Sequence, residues 1–169
     1  SPRVDRYVAI SDAIKGVLVA YGVPTSRISV VKSAVDTAPY GAIARPEARA
    51  ELARTFGIDP TLPFIGNASA LTPQKGYEVL LDALAKLKRD GVRFHAFIAG
   101  EGELQAKLER QREALDLVYE VTFLGFIQKV PEFLTALDIL AVPSNYEGLG
   151  TILLDGIAAG LAVAATRVG

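Results

Sequence analysis

The sequence contains no cysteine, and its single histidine is His95. The absence of cysteine excludes disulfides, zinc–thiolate sites and cysteine nucleophiles. One histidine excludes metal sites built from several histidines, and no Asp-x-Asp pair or carboxylate–histidine cluster is present, so the sequence implies neither a metal nor a cofactor. A net charge of −1 argues against a protein that binds nucleic acid through a broad basic surface.

Long hydrophobic runs are also missing. The most apolar stretch, 151–166, is interrupted by Asp155 and is shorter than the roughly 20 residues of a membrane-spanning helix. There is no basic-then-apolar leader, so we expect a cytoplasmic protein. The composition, 50% hydrophobic and 22% charged over 169 residues, is typical of one globular domain. The chain begins with serine, lacks methionine and stops just after an apolar run, so we also expect it to be a fragment.

Short β-rich runs alternate with segments of helical period, which predicts a doubly wound, Rossmann-like parallel α/β sheet. Strands are predicted over 7–10, 28–31, 63–66, 94–99, 121–124, 138–142 and 161–165. Helices are predicted over 11–21, 46–57, 131–137 and 151–159, with two more marked by the apolar spacing of Leu80, Ala83, Leu84 and Leu87 and of Leu104, Leu108 and Leu115. His95 falls inside a strand and is interpreted as a core or sheet-surface residue.

The loop after the predicted strand 138–142 is the strongest candidate for ligand binding, because ligands of such sheets bind at the carboxyl ends of the strands. It contains Gly148 and Gly150 and runs directly into a helix, so its backbone amides can approach an anion. Glu147 and Asp155 are separated by a little over two helical turns, which lets both carboxylates face one ligand. A glycine-rich turn with a solvated Asp155 is the alternative, but an acid on this apolar helix needs a partner.

Two other loops also follow predicted strands. Lys75 comes immediately before Gly76 and a new helix, where a cation is well placed to meet a phosphate; an ordinary exposed lysine is the alternative. The segment 100–105 resembles a dinucleotide-binding fingerprint, but Gln105 stands where the third glycine belongs. We interpret that segment as a tight turn.

Together these segments resemble the C-terminal, donor-binding domain of the retaining glycosyltransferases of family 4, which have the two-domain GT-B fold. The resemblance covers nearly the whole chain and is most specific over 123–125, 143–150, 154–155 and 159–169. It implies that 1–169 is a single nucleotide-sugar-binding domain in which 1–10 is a hinge or inter-domain strand. It also implies that an N-terminal acceptor domain and a C-terminal helix are missing from this chain.

The resemblance implies a catalytic role for two residues. Glu147 matches the first glutamate of a Glu–seven residues–Glu motif, which holds hydroxyls of the donor sugar. Lys75 matches the lysine that neutralises the leaving diphosphate. Retention in this family is usually assigned to attack from the front face, with the acceptor hydroxyl entering on the side of the leaving group.

The resemblance also implies residues that bind the donor. Gly148, Leu149 and Gly150 match backbone amides that receive the diphosphate and the sugar. Asp155 stands where the second glutamate of the motif binds the ribose, and Ile127 matches a position whose backbone reads the edge of the base.

Four departures from the family pattern affect these assignments. Many members have a phosphate-binding arginine where this chain has Ala70, and Asn67, Ser69 or a residue of the missing domain are the candidates to compensate. Asp155 is one methylene shorter than glutamate. Lys129 occupies a place where some guanine-nucleotide users have aspartate, which weakly favours uridine. The segment 33–34 replaces an Asn-Gly pair near the hinge.

The resemblance therefore implies a retaining transferase that moves a sugar from a nucleoside-diphosphate sugar, UDP rather than GDP, to a glycan or lipid-linked acceptor. Cell-surface polysaccharide or lipopolysaccharide synthesis is the expected setting, with the whole enzyme cytoplasmic or peripheral at the inner face of the membrane. The chain itself is expected to bind nucleotide weakly and to transfer nothing. The alternatives are a nucleotide-sugar epimerase of the same architecture and, because of Ala70 and Asp155, a degenerate non-catalytic binding module.

Overall fold

The computed structural model describes residues 4–148 and 150–168 of the chain. Its strands are β1 (Tyr7–Ala9), β2 (Ile28–Val30), β3 (Phe64–Ala68), β4 (His95–Ala99), β5 (Val121–Gly125), β6 (Ile139–Val142) and β7 (Ala162–Ala165). Its α-helices are α1 (Asp12–Ala20), α2 (Ala38–Gly41), α3 (Arg45–Phe56), α4 (Tyr77–Arg89), α5 (Gln105–Ala114), α6 (Val130–Ala136) and α7 (Thr151–Ala158). Every predicted strand and helix is present, and α2 is the one α-helix of the described residues that was not predicted.

The main sheet is parallel, with the strand order β5-β4-β3-β6-β7. The chain steps outward from β3 to β4 and β5, then returns to the other side of β3 to form β6 and β7. The order of the strands therefore reverses between β3 and β6, and in such sheets ligands bind outside the carboxyl ends of the strands at this switch point. Strands β1 and β2 pair with each other in a separate two-stranded parallel sheet.

Helices cover both faces of the main sheet, which confirms the doubly wound prediction. Side chains alternate between the faces along each strand. On one face, Ile65 and Ile98 pack against α4 and α5. On the other face, Phe64 and Phe97 pack with residues of α2, α3 and α6.

Several local predictions can be checked within the described residues. The buried stripe of α4 consists of Tyr77, Leu80, Leu81, Leu84 and Ala85. The predicted stripe was wrong at Ala83, which is exposed, whereas Leu81 and Ala85 on either side of it are buried. His95 is buried on β4, where its Nε2 lies 2.8 Å from the Thr122 hydroxyl. Burial lowers the pKa of His95, as expected for the predicted core histidine.

Arg49 of α3 joins the segments that lead into β3 and β6. Its Nη1 lies 2.9 Å from Asp138 Oδ2, and the same carboxylate oxygen accepts the Phe64 amide at 2.8 Å. The guanidinium lies 4.0 Å from the centroid of the Phe64 ring. It also donates to the backbone carbonyls of Pro60, Leu62 and Ala136. The two central strands of the sheet are therefore tied together at their amino ends by one side chain.

We expect Arg49→Ala to lower the free energy of unfolding by about 3 kcal/mol, because it leaves a partly buried carboxylate and several carbonyls without their donor. Urea denaturation followed by circular dichroism measures this loss. The control is Arg54→Ala on the same helix, because the Arg54 side chain is 77% exposed and pairs with Glu51. Its denaturation midpoint should stay at the wild-type value. Equal losses for the two variants would contradict the proposed role of Arg49.

Candidate functional site

Two loops meet at the switch point: the β3–α4 loop (69–76) and the β6–α7 loop (143–150). The Asn145 amide donates to the Gln74 carbonyl at 2.8 Å, and the Asn145 side chain donates to the Pro73 carbonyl at 2.8 Å. In the opposite direction, Gln74 Nε2 donates to the Tyr146 carbonyl at 3.0 Å. These hydrogen bonds hold each loop against the other, so the side chains they carry share one site.

Gly76 brings the two loops this close. Its φ of +65° lies in the left-handed region, and a Cβ added there would lie only 2.1 Å from the Pro143 carbonyl oxygen. A residue with a side chain would therefore have to push the end of β6 away. Glycine lets helix α4 begin directly beside the end of β6, with Lys75 immediately before it.

Lys75 and Glu147 form an ion pair between the two loops. Lys75 Nζ lies 2.5 Å from Glu147 Oε1, and the buried Ser144 hydroxyl donates to the same oxygen at 2.8 Å. The side chains are 20% and 10% exposed, so solvent screens this pair less than a surface pair. The structure thus places the two predicted catalytic residues in direct contact. An ammonium group has three donors, so Lys75 can bind a further acceptor.

The start of α7 lies beside Glu147. Gly150 precedes the helix and no side-chain hydrogen bond caps it, so amides at its start can bind an anion, although that of Leu153 donates to the Gly150 carbonyl at 2.9 Å. A Cβ added at Gly150 would lie 3.7 Å from the Glu147 carboxyl carbon, which shows how closely the carboxylate approaches the helix start. Gly148 is half-buried, and its carbonyl accepts a hydrogen bond from the Ser11 hydroxyl at 3.3 Å. Leu149, predicted as a donor-binding position, lies outside the described residues.

A cleft of about 290 Å³ opens at this point, and we call it the first cleft. Its polar lining combines one carboxylate with three hydroxyls: Glu147, Ser11, Ser144 and Thr166. Carboxylates and hydroxyls are acceptors and donors for sugar hydroxyl groups.

Ile127 lines a second cleft of about 300 Å³, at the carboxyl ends of β3, β4 and β5. Ala70, which replaces the arginine of the resemblance, lines the same cleft, and Glu101 is its charged lining residue. The second cleft is otherwise formed by small or apolar residues: Ala68, Ser69, Ala99, Gly100, Phe126 and Val130. At position 70 this chain therefore presents only a methyl group to the second cleft.

The two side chains expected to compensate for Ala70 already have partners. Asn67 is buried, and its Nδ2 donates to the Ala141 carbonyl at 2.5 Å. The Ser69 hydroxyl lies 2.7 Å from the hydroxyl of Tyr77. Asn67 thus links β3 to β6 within the sheet and contributes no donor to the second cleft.

The predicted tight turn after β4 is confirmed. Gly100 has a φ of +129°, and a Cβ there would lie 2.0 Å from the Ser69 carbonyl oxygen. The glycine is needed because the turn packs against the β3–α4 loop. The turn therefore has a structural explanation that needs no phosphate.

Asp155 of α7 has the partner that its apolar surroundings require, and that partner is Tyr40. The Tyr40 hydroxyl donates to Asp155 Oδ1 at 2.7 Å. Burial and the neighbouring carboxylate raise the pKa of Tyr40 well above its usual range, so the phenol stays protonated and remains a donor. The sequence analysis missed Tyr40, because no local spacing relates a residue of α2 to a residue of α7.

Residues 4–148 and 150–168 contain neither a cluster of metal ligands nor a membrane-spanning helix. No group of three or more histidine, aspartate or glutamate side chains in these ranges is placed to hold a metal ion. No helix described in these ranges is long and apolar enough to cross a membrane.

Comparisons of the sequence point to one family. The family model described as glycosyl transferases group 1 matches residues 48–169. The 2-deoxystreptamine glucosyltransferase of Streptomyces kanamyceticus is 34% identical over 145 residues, which cover 84% of this chain and 37% of that protein. The lipopolysaccharide core biosynthesis mannosyltransferase LpsB of Rhizobium meliloti is 27% identical over 129 residues, which cover 73% of this chain and 37% of that protein. The chain therefore spans well under half the length of these relatives.

A solved structure has the same fold. The crystal structure of HepE from Anabaena in complex with UDP and glucose superposes with a TM-score of 0.87 at 25% sequence identity. The match covers 98% of this chain and 45% of that chain.

We expect Gly76→Ala to separate the two loops and to lower the free energy of unfolding by about 3 kcal/mol, because a methyl group would collide with backbone at Pro143. The control is Gly91→Ala, where φ is +76° and nothing lies within 4 Å of the added Cβ. That variant carries only the cost of the left-handed conformation, about 1 kcal/mol. Thermal and urea unfolding measure both, and losses of the same size would show that the contact at Gly76 is not tight.

Proposed function

Because the chain belongs to the glycosyl transferases group 1 family, we propose that the switch-point loops bind a nucleoside-diphosphate sugar and supply the donor half of a retaining sugar transfer of the family 4 type. The observation that carries the proposal is the Lys75–Glu147 ion pair beside the uncapped start of α7. A cation, the amides of a helix start and a carboxylate acceptor are the groups that a diphosphate joined to a sugar requires.

The proposed chemistry concerns the bond between the anomeric carbon and the diphosphate oxygen. As that bond breaks, its electron pair stays on the diphosphate, and negative charge develops on the phosphate oxygens. The Lys75 ammonium and the amides at the start of α7 stabilise this charge, because they are already oriented before the reaction. The acceptor hydroxyl attacks the same face of the sugar, and its proton leaves with the diphosphate.

In this proposal, binding of the nucleotide sugar replaces the contact between Lys75 and Glu147 with one contact from each residue to the ligand. Lys75 turns from Glu147 to the diphosphate, and the Glu147 carboxylate accepts hydroxyl groups of the sugar in the first cleft. Ser144 keeps its hydrogen bond to Glu147 Oε1 during the exchange and holds the carboxylate in place. The diphosphate then compensates the charge of Lys75, and the sugar hydroxyls and Ser144 hydrogen-bond the Glu147 carboxylate, so neither group is left without a partner in a partly buried site.

The other contacts of the nucleotide sugar are assigned to the second cleft and to α7 with the loop that precedes it. The backbone at Ile127 contacts the base, Asp155 binds the ribose, and the amides of 148–150 receive the diphosphate. The HepE structure, which contains UDP and glucose, supports a uridine donor rather than a guanosine donor. Lys129 points the same way, since a lysine does not accept from the base as an aspartate would.

The acceptor is proposed to be a glycan or a lipid-linked sugar, as in cell-surface polysaccharide or lipopolysaccharide synthesis, and the relative LpsB supports this class. We assign residues 1–169 to a single donor-binding domain and the acceptor site to a domain outside it. On this assignment the whole enzyme works in the cytoplasm or peripherally at the inner face of the membrane, and the 169-residue chain alone transfers no sugar. A second candidate is a non-catalytic nucleotide-binding module, which Ala70 favours because it removes a cation from the second cleft.

We expect the chain to bind UDP more tightly than GDP, and Lys75→Ala to weaken UDP binding by about 10- to 100-fold, the value of a charge-assisted hydrogen bond. Glu147→Gln should not weaken UDP binding, because it releases Lys75, but it should weaken UDP-glucose relative to UDP, because the sugar is the part of the donor that contacts this carboxylate. Isothermal calorimetry at low salt measures the dissociation constants of UDP, GDP and UDP-glucose for the wild-type chain and those of UDP and UDP-glucose for the variants.

The control for charge is Lys86→Ala, on α4 but 69% exposed and paired with Asp90. It should bind UDP as the wild type does. If Lys75→Ala and Lys86→Ala bind UDP equally well, the diphosphate does not lie beside Lys75. If the wild-type chain binds neither nucleotide at millimolar concentration, the donor-binding proposal is wrong for this chain.

A further inference from the structure

The contact between Tyr40 and Asp155 joins two parts of the chain that the sequence analysis did not connect. Tyr40 is 8% exposed, and its ring is part of the core formed by α2, α3 and α6. Its hydroxyl reaches out of that core to Asp155 Oδ1 at 2.7 Å. A ring packed on all sides has little rotational freedom, so the position of its hydroxyl is well defined.

The segment that carries Tyr40 holds α7 at a second point. Arg45, at the start of α3, donates from Nη2 to the Ala159 carbonyl at 3.0 Å and from Nη1 to the Leu137 carbonyl at 2.9 Å. Ala159 is the residue that ends α7. Tyr40 and Arg45 therefore contact α7 at two points one helical turn apart. Tyr40 contacts the Asp155 carboxylate, and Arg45 contacts the carbonyl at the end of the helix. This arrangement fixes the position of α7 relative to Tyr40.

The hydrogen bond leaves one carboxylate oxygen of Asp155 available. Within residues 4–148 and 150–168, the donor to this carboxylate is the Tyr40 hydroxyl, and it uses Oδ1. Oδ2 can therefore accept from another molecule without competing with Tyr40. Because aspartate has one methylene less than glutamate, its oxygens depend more on the position of the helix and on χ1. The hydrogen bond from Tyr40, whose own position is well defined, restrains both the position of α7 and the χ1 angle of Asp155.

We propose that Tyr40 is a positioning residue for nucleotide binding: it holds the Asp155 carboxylate so that the free oxygen accepts a ribose hydroxyl of the donor. This inference rests on the proposed function. Tyr40 does not touch the donor itself. It keeps the Asp155 side chain in one orientation before the nucleotide binds, so that less conformational entropy is lost on binding. Phenylalanine at position 40 would keep the packing and release the carboxylate.

The test compares each nucleotide with its deoxy analogue, because a merely structural tyrosine would affect both alike. The quantities are the dissociation constants of UDP, 2′-deoxy-UDP and 3′-deoxy-UDP for the wild-type chain, Tyr40→Phe, Asp155→Ala and the double variant. If GDP binds more tightly, the guanosine analogues are used instead. The control is Tyr119→Phe, which removes the hydroxyl of a tyrosine that is 84% exposed.

We expect the wild-type chain to bind UDP about 10-fold or more tightly than at least one deoxy analogue, as for a hydrogen bond to a charged group. Asp155→Ala should abolish this preference. Tyr40→Phe should reduce the preference at least 3-fold, and the double variant should behave as Asp155→Ala does. Tyr119→Phe should keep the full preference.

Several results would overturn the inference. If Tyr40→Phe lowers the melting temperature but keeps the preference for UDP over the deoxy analogues, Tyr40 only stabilises the fold. If the double variant loses more of the preference than Asp155→Ala, Tyr40 does not act through Asp155. If the wild type binds UDP without any preference, the inference fails together with the assignment of Asp155 to the ribose, while donor binding at the switch-point loops stands. Only a wild-type chain that binds neither UDP nor GDP would remove both.

Discussion

The reversal of strand order between β3 and β6 is the constraint on which the site depends. Each strand of the parallel sheet ends at the same edge, so the loops after β3 and β6 must leave side by side. Gly76 permits the backbones to approach to a distance that any side chain would prevent. Lys75 and Glu147, far apart along the chain, are brought within 2.5 Å as a direct consequence.

This ion pair gives the site its electrostatic character. Both charged side chains are largely buried, and each charge is compensated by the other. The Ser144 hydroxyl is an additional hydrogen-bond donor to Glu147. A site of this kind avoids the cost of a buried unpaired charge while keeping both groups available for exchange with a ligand. The two clefts differ in their lining: the first has hydroxyls and Glu147, and the second has Ala70 and Ile127. The different linings of the two clefts suit a ligand that is polar at one end and planar at the other.

Contacts outside the two loops also stabilise the strands and helices that carry them. Arg49 ties the amino ends of β3 and β6, and Arg45 ties α3 to the ends of α6 and α7. Helix α1 contacts the β6–α7 loop through the Ser11 hydroxyl, and Ile14 comes within 3.2 Å of a Cβ added at Gly148. The small sheet of β1 and β2 thus reaches the site through this helix, although it shares no strand pairing with the main sheet.

The sequence by itself determined the secondary structure and the residue types of the site. Apolar periodicity and glycine positions are local signals, so they predicted the strands, most helices and the loops that carry Lys75 and Glu147. They failed for α2, a four-residue helix that is too short to show a period. They also could not show that Asn67 is a sheet residue with its amide already bonded to Ala141.

Only the tertiary structure decided which of these residues meet. The contacts of Lys75 with Glu147 and of Tyr40 with Asp155 join positions far apart in the chain. Such pairs depend on strand order and on how closely backbones approach, and neither leaves a pattern in the local sequence. The sequence therefore determined what each loop contains, and the packing of the sheet and its helices determined what each side chain contacts.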